Sequence, residues 1–237
     1  MRSNRIKAGW RTLLMAGVVA GLVACGGGGD GSSDSPPVLS VSAEGVSTID
    51  QSALATQLAT YALQSPLSTT ETASLRFMRE EEQLAHDVYV AAAGRYSTPL
   101  FANIASSEAT HAGAVATLLA RYGLADPMAG LPTGTFATPS FQSLHDSLVA
   151  ASAVSLVEAL KVGAEIEELD IRDIEAQKIG IDNADILVVD EHLLRGSRNH
   201  LRAFMKVLAQ QGGTYTPKYI PQATFDAIVS SPIETGP

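Results

Sequence analysis

Four long stretches of this chain repeat apolar side chains at helical spacing, and each sets a carboxylate or an imidazole inside its apolar stripe. Helices with one apolar face must bury it against one another. A charge buried on such a face has to be paired or bind a metal. The first stretch, about residues 69 to 94, opens on Thr69, Thr70 and Glu71 and carries Leu75, Met78, Ala85 and Tyr89, with Phe77, Leu84 and Val88 alongside. The second, about 98 to 123, starts at Thr98-Pro99, stops at Gly123 and reads Phe101, Ile104, Glu108, His111, Val115, Leu118, Tyr122. The third lies within 140 to 179, as a short piece from Ser140 and a long one from Ser155 whose face reads Val157, Leu160, Ala164, Glu167, Ile171, Ile174. The fourth, about 183 to 211, ends at Gly212 and reads Ile186, Val189, Leu193, His200, Phe204, Val207. No stretch alternates with period two. The expected fold is therefore all-α: a four-helix bundle over residues 69–213, with a long connection rich in proline between the second and third helices. Residues 49–68 read as a short helical lead-in that stops before Pro66, and residues 214–237 as a tail over the bundle surface.

Hydrophobic residues make up 46% of the chain and aromatics 5%, which suits a helical core of Ala, Leu, Val and Ile better than a β-sandwich. The net charge is −9, and four cations fall within the first 24 residues, so the remainder is more acidic still. An acidic chain does not bind nucleic acid through its overall field. A single cysteine excludes an internal disulfide framework. No nucleophile stands beside a base, and no Gly-rich loop joins a strand to a helix.

The N-terminus reads as an address. Arg2, Arg5, Lys7 and Arg11 precede an uncharged, mostly apolar run over residues 12–24, the pattern of a secretory signal. The run is short for a membrane span, which needs roughly 20 apolar residues. Leu22-Val23-Ala24-Cys25 resembles the lipobox of bacterial lipoproteins, in which cleavage precedes the cysteine and the cysteine is lipidated. Residues 25–48, rich in Gly and Ser at first, read as a flexible tether from that anchor. The expectation is an exported protein held to the membrane through Cys25; in a cell with two membranes, Gly26 rather than Asp after the cysteine leans toward the outer one.

The polar residues inside the stripes carry the chemistry. Glu108 and His111 are three apart, which sets carboxylate and imidazole on one helical face. His200 lies at the centre of the fourth stripe and Glu167 near the centre of the third, with Glu168 nearer its edge. The run Glu80-Glu81-Glu82 spans enough of the wheel that at least one member approaches the core; the wheel alone favours Glu81, and spacing to Ala85 and Tyr89 favours Glu82. Each of these alone is more simply a satisfied core residue or a solvated face. Together they place carboxylates and imidazoles from four helices at mid-bundle, which is how carboxylate-bridged two-metal sites are built. Carboxylate and imidazole without thiolate suit iron or manganese. His86, His145 and His192 fall at stripe edges or in less regular segments and are expected to be partly exposed.

Glu82-x-x-Ala85-x-x-x-Tyr89 resembles the first-helix pattern of bacterioferritins and rubrerythrins in the ferritin-like superfamily. Glu108-x-x-His111 resembles the second-helix ligand pair, Glu167 the third-helix glutamate and His200 the fourth-helix histidine. The stretches 77–82, 162–170 and 194–204, with the ending 211–217, are more similar still to one bacterial ferritin-like family, the domain of unknown function 2202, over about residues 70 to 229. The resemblance implies Glu82, Glu108, His111, Glu167 and His200 as metal ligands, with Glu81 and Glu168 as lesser candidates. One departure stands out: the superfamily repeats E-x-x-H on its fourth helix, and here Ser197 occupies the position three before His200. Asp190 and Glu191 are badly placed to replace that carboxylate.

Three functions compete at this level. One is an iron or manganese enzyme that consumes oxygen or peroxide, with Tyr89 and Tyr122 as neighbours of the site. Another is a metal-binding lipoprotein without turnover. The third is an interaction module whose buried acids are neutralised by arginines such as Arg79, Arg195 or Arg198. The partners expected are membrane lipid through Cys25, a metal ion and a second copy of the chain in a homodimer, with no nucleic acid.

Overall fold

The computed structural model describes residues 37–235. The expected signal segment, the lipidation site Cys25 and most of the expected tether lie outside the described residues. Among the described residues the chain forms two short strands, β1 (Leu39–Val41) and β2 (Ser47–Ile49), and seven helices: α1 (Gln51–Leu58), α2 (Thr69–Ala93), α3 (Pro99–Arg121), α4 (Pro139–Ser152), α5 (Leu156–Lys178), α6 (Ala184–Gln210) and α7 (Gln222–Ser230). The fold is all-α apart from one hairpin. No described helix is long and apolar enough to cross a membrane.

The helix starts follow local chemistry. Ser68 caps α2, accepting from the Glu71 backbone N–H while the Glu71 carboxylate accepts from the Ser68 backbone N–H, a reciprocal capping box. The cap therefore lies one residue before the signals at Thr69 and Thr70. Pro99 and Pro139 open α3 and α4, where a missing N–H costs nothing. The Ser155 side chain caps α5. The third sequence stretch is accordingly two helices, α4 and α5, separated by a cap.

Helix α2 packs along α3 and α5 along α6, and the two pairs meet through α3 on α6 and α2 on α5. The predicted stripes face inward: Leu75, Met78, Leu84, Ala85, Val88, Tyr89, Phe101, Ile104, Val115, Leu118, Leu160, Ala164, Ile171, Ile174, Ile186, Val189, Leu193 and Phe204 are all buried. Tyr122, Val157 and Val207 are half-buried, and Phe77 is 36% exposed, its ring tilted against Phe141 of α4 with centroids 5.0 Å apart. One close approach depends on glycine. A Cβ on Gly163 of α5 would run into the Phe204 ring of α6, so the helices meet there only because that side chain is absent.

The N-terminal segment corrects the sequence reading. From residue 39 the expected tether is an antiparallel hairpin with Leu39 opposite Ile49 and Val41 opposite Ser47. Gly45 turns it with φ +86°, and a Cβ there would meet the Asn199 carbonyl oxygen of α6 at 2.8 Å. The Ile49 backbone N–H donates to Thr110 Oγ1 of α3 at 3.0 Å. Leu39, Ser47 and Ile49 are buried. Such short strands are too brief to show a period-two signal, and their polar inward residue hides what alternation there is. At the other end, the expected tail contains α7, packed on α6 through buried Phe225 and Ile228. Arg198 and Arg202 of α6 hold Glu234 beyond it, at 2.6 and 2.7 Å.

Candidate metal centre

Five of the side chains singled out in the sequence meet inside the bundle. Glu82 comes from α2, Glu108 and His111 from adjacent turns of α3, Glu167 from α5 and His200 from α6. None is more than 1% exposed. They form two groups, Glu82–Glu108–His111 and Glu108–Glu167–His200, in each of which one ligand atom per residue lies within 4.8 Å of the others. Glu108 belongs to both. Its Oε2 lies 2.7 Å from His111 Nδ1 and its Oε1 2.7 Å from His200 Nδ1. Glu82 Oε2 lies 3.5 Å from His111 Nδ1, and Glu167 Oε2 3.5 Å from His200 Nδ1.

These short separations are not ordinary hydrogen bonds. His111 Nδ1, His200 Nδ1, Glu108 Oε1, Glu167 Oε2 and both oxygens of Glu82 lack a hydrogen-bond partner of acceptable geometry. Buried polar atoms are rarely left so, and a buried unpaired charge is costly. Nitrogen and oxygen atoms that crowd together without aiming a proton at one another fit donors directed at a common cation. The donor set of carboxylate oxygens and imidazole nitrogens suits iron or manganese.

The helix positions explain the pairing. Glu82 and Glu167 sit on α2 and α5, and Glu108 stands between His111 and His200 from α3 and α6. The Ser197 hydroxyl donates to the Leu193 carbonyl of its own helix at 3.1 Å and turns away from the centre. Each group keeps one unshared glutamate, one histidine and a share of Glu108. Ser197 belongs to neither group, so neither is left without its own donors.

Without a cation the centre stores protons. Burial pushes the Glu82 and Glu167 carboxyls up to about 7, against the pull of His111 and His200 respectively. Burial also opposes charge on the imidazoles, but Glu108 and the flanking glutamates hold His111 up to about 10 and His200 up to about 9. Burial opposes charge on Glu108 as well, yet His200 and His111 hold it well below the usual carboxylate range. Tyr89 donates to Glu167 Oε1 at 2.7 Å, and burial with the charge of Glu167 raises its phenol well above the usual value. A metal that takes the Nδ1 atoms must displace protons from them.

The sequence reading missed a residue of the centre. Ser47 of β2 places its hydroxyl 3.0 Å from His111 Nε2 and 2.9 Å from His200 Nε2. The rings stack with centroids 5.4 Å apart and planes 17° from parallel. A hydroxyl oxygen has two acceptor lone pairs. A hydroxyl that accepts from both Nε2–H groups leaves both Nδ1 atoms to a metal once their protons are displaced, the role that outer partners of metal-binding histidines usually play. Gly196 makes room, because a Cβ there would strike the His111 ring and come within 2.9 Å of Ser47 Oγ.

The other candidates lie elsewhere. Glu168 is buried but accepts from Tyr215 OH at 2.5 Å and from the Lys218 backbone N–H at 3.0 Å, so it docks the C-terminal segment. Glu81 is buried and belongs to neither group; burial, and after it the charge of Asp173, raises its carboxyl well above the usual range. Glu80 accepts from Thr138 N and Oγ1 at the start of α4, so every member of the acidic run is buried, each toward a different element. Asp190 is buried near Lys178, away from both groups. His86 and His145 are half-buried, but His192 is buried, contrary to expectation, because α1 covers it and Gln57 bonds its Nε2 at 3.1 Å. Tyr122 is turned to Asp185. Asp170, buried three residues after Glu167, escaped notice although it shares that helical face.

Two of the candidate arginines are spent elsewhere. Arg79 pairs with Asp126 at 3.1 Å, and Arg198 with Glu234 and Glu191. Neither reaches the central carboxylates.

Comparison with known proteins gives a consistent relationship. The chain is 46% identical over 171 residues to the uncharacterized protein MJ0754 of Methanocaldococcus jannaschii, covering 72% of this chain and 92% of that protein. The crystal structure described as that of the hypothetical protein MJ0754 from Methanococcus jannaschii superposes with a TM-score of 0.71 at 44% identity, covering 73% of this chain and 99% of the other. The sequence model of the family described as an uncharacterized protein domain, DUF2202, matches residues 71–232; the hairpin that carries Ser47 lies before that range. The chain therefore belongs to the DUF2202 family.

Proposed function

We propose that this protein is a ferritin-like, lipid-anchored metal protein that holds two iron or manganese ions between Glu82, Glu108, His111, Glu167 and His200. The observation that carries the reading is the pair of buried imidazole Nδ1 atoms, each 2.7 Å from an oxygen of one glutamate and each without a hydrogen-bond partner. Glu82 and His111 would hold one ion and Glu167 and His200 the other, with Glu108 common to both groups. When bound, such ions supply redox and Lewis-acid chemistry. The chain's part is to exclude bulk water from the centre, to fix both imidazoles through Ser47, and to hold the Glu167 carboxylate through Tyr89. A centre with these donors suits handling of metal or of an oxidant such as oxygen or peroxide. The basic start, short apolar run and Leu22-Val23-Ala24-Cys25 support a membrane anchor that holds this centre outside the cytoplasm.

The test is elemental analysis of the chain from Gly26 after loading with Fe(II) or Mn(II). Two ions per chain are expected in the parent. Glu108→Ala should lose both, and His111→Ala should lose one. A folded parent that takes up no metal would refute the reading and return the buried charges to a structural role.

A further inference from the structure

The centre is sealed from solvent, so a hydrated cation needs a path to it. A second set of buried acids lies between the centre and one surface cavity. On α5, Glu167, Asp170, Asp173 and Gln177 follow at helical spacing and form one row along the helix. On α2, which packs against α5, Glu81 stands beside Glu82 and one turn from Phe77. At the outer end of both rows, Phe77, Ser74, Thr70, Asp173 and Gln177 line a surface cavity of about 590 Å³.

The order of the acids follows from their spacing: Asp173 stands three residues from Asp170 and Asp170 three from Glu167 on α5, while Glu81 adjoins Glu82 on α2. Asp173 is the foremost charged influence on Glu81, and Glu81 the foremost on Asp170, followed by Glu82, Glu167 and Glu108. Asp170 is 0% exposed and Glu81 4% exposed. Both Asp170 oxygens and Glu81 Oε2 have no hydrogen-bond partner. Among the described residues no donor meets those oxygens, although buried carboxylates normally collect donors. At the mouth, both Asp173 oxygens accept from Arg172 at 2.6 Å, and the guanidinium lies 4.8 Å over the Tyr219 ring.

We propose that Asp173, Glu81 and Asp170 form a cation entry route from the cavity between α2 and α5 to the metal centre. The proposal rests on the two-ion reading of that centre. Each carboxylate replaces oxygen ligands that a hard cation gives up as it leaves water. The unpartnered oxygens of Asp170 sit at the step before Glu82 and Glu167. Arg172 competes with the cation for Asp173 and so guards the mouth. Neither Glu81 nor Asp170 belongs to the ligand groups. The route therefore governs how fast metal arrives, and the final occupancy belongs to the ligands.

The test is stopped-flow loading of metal-free, full-length protein in detergent with Co(II), followed by the visible absorption of the bound ion, together with equilibrium titration. Glu81→Gln and Asp170→Asn keep side-chain shape and remove buried repulsion. Asp173→Asn at the mouth provides a variant that leaves the interior untouched. Loading slowed tenfold or more in all three, with the parent's stoichiometry and a dissociation constant within twofold of the parent's, is the expected result. Parent-like rates in the variants would overturn the route while leaving the centre intact. Weakened equilibrium binding would make these residues ligands and would also overturn it. A parent that binds no Co(II), Fe(II) or Mn(II) would remove the centre and the route together.

Discussion

Ser47→Ala removes one oxygen from a buried position and leaves the backbone of the hairpin unchanged. That oxygen lies 3.0 Å from His111 Nε2 and 2.9 Å from His200 Nε2, and Ser47 is 0% exposed. The variant therefore orphans two buried N–H donors with a single substitution. Each such donor costs about 1–3 kcal/mol, so the metal-free protein should lose about 2–6 kcal/mol of stability, less whatever a trapped water recovers. That is a large part of an ordinary domain's margin of about 5–15 kcal/mol. The metal-bound form should suffer separately. Loss of the outer partner of a ligating histidine typically weakens binding about 10–100-fold, and one oxygen here serves both rings. Both ions should therefore weaken together, by about 1.4–2.8 kcal/mol each. Denaturant unfolding and metal titration measure the two effects independently. Unchanged stability with unchanged affinity would show that the hydroxyl holds neither ring and would refute the assignment of the hairpin to the centre. Loss of one ion alone would show that only one of the two hydrogen bonds matters.

Other outcomes follow from the same geometry. Glu82→Gln should reduce the metal content from two ions to one, because the Glu108–Glu167–His200 group remains whole, whereas Glu108→Gln should abolish both; elemental analysis separates the cases. In the metal-free protein, His111 and His200 are raised to about 10 and 9, and Glu82 and Glu167 to about 7. Groups raised on folding stabilise below their unfolded values and lose that contribution as pH rises. Thermal stability should thus fall between about pH 5 and pH 10 without metal, while metal affinity rises over the same range as protons leave the donors. Melting curves with and without Mn(II) at several pH values check both signs. Gly196→Ala should displace His111, cost about 1–3 kcal/mol by overpacking and weaken metal binding, as unfolding and titration would show. Glu168→Gln should loosen the segment around Tyr215 and Lys218, increasing its proteolysis, with metal content unchanged.

Periodicity and the charges that interrupt it were enough to anticipate the helices and to single out Glu108, His111, Glu167 and His200, while Glu82 was preferred to Glu81 through the resemblance of Glu82-x-x-Ala85-x-x-x-Tyr89; the structure brings these five together. A helical stripe records which way each residue faces, and a charge on the stripe stands out because it breaks the pattern. Glu81 and Glu82 could not be separated so simply. Adjacent residues both lie near the core side of α2, and only the position of α5 sends one toward Asp173 and the other to His111. Ser47 was invisible for a related reason. Its strand has 3 residues, its neighbours look like linker, and a serine on an inward face carries no hydrophobic signal. Its partners are 64 and 153 residues away in the chain.

The sequence by itself determined an all-helical chain with acids and imidazoles on its buried faces, because those properties are local and repeat every helical turn. Only the tertiary structure decided that Glu108 is shared between two groups, that the Ser197 hydroxyl is spent on its own helix, and that a hairpin closes on the centre with one hydroxyl. Those facts depend on how separate helices are rotated and brought against one another, which no single helix encodes.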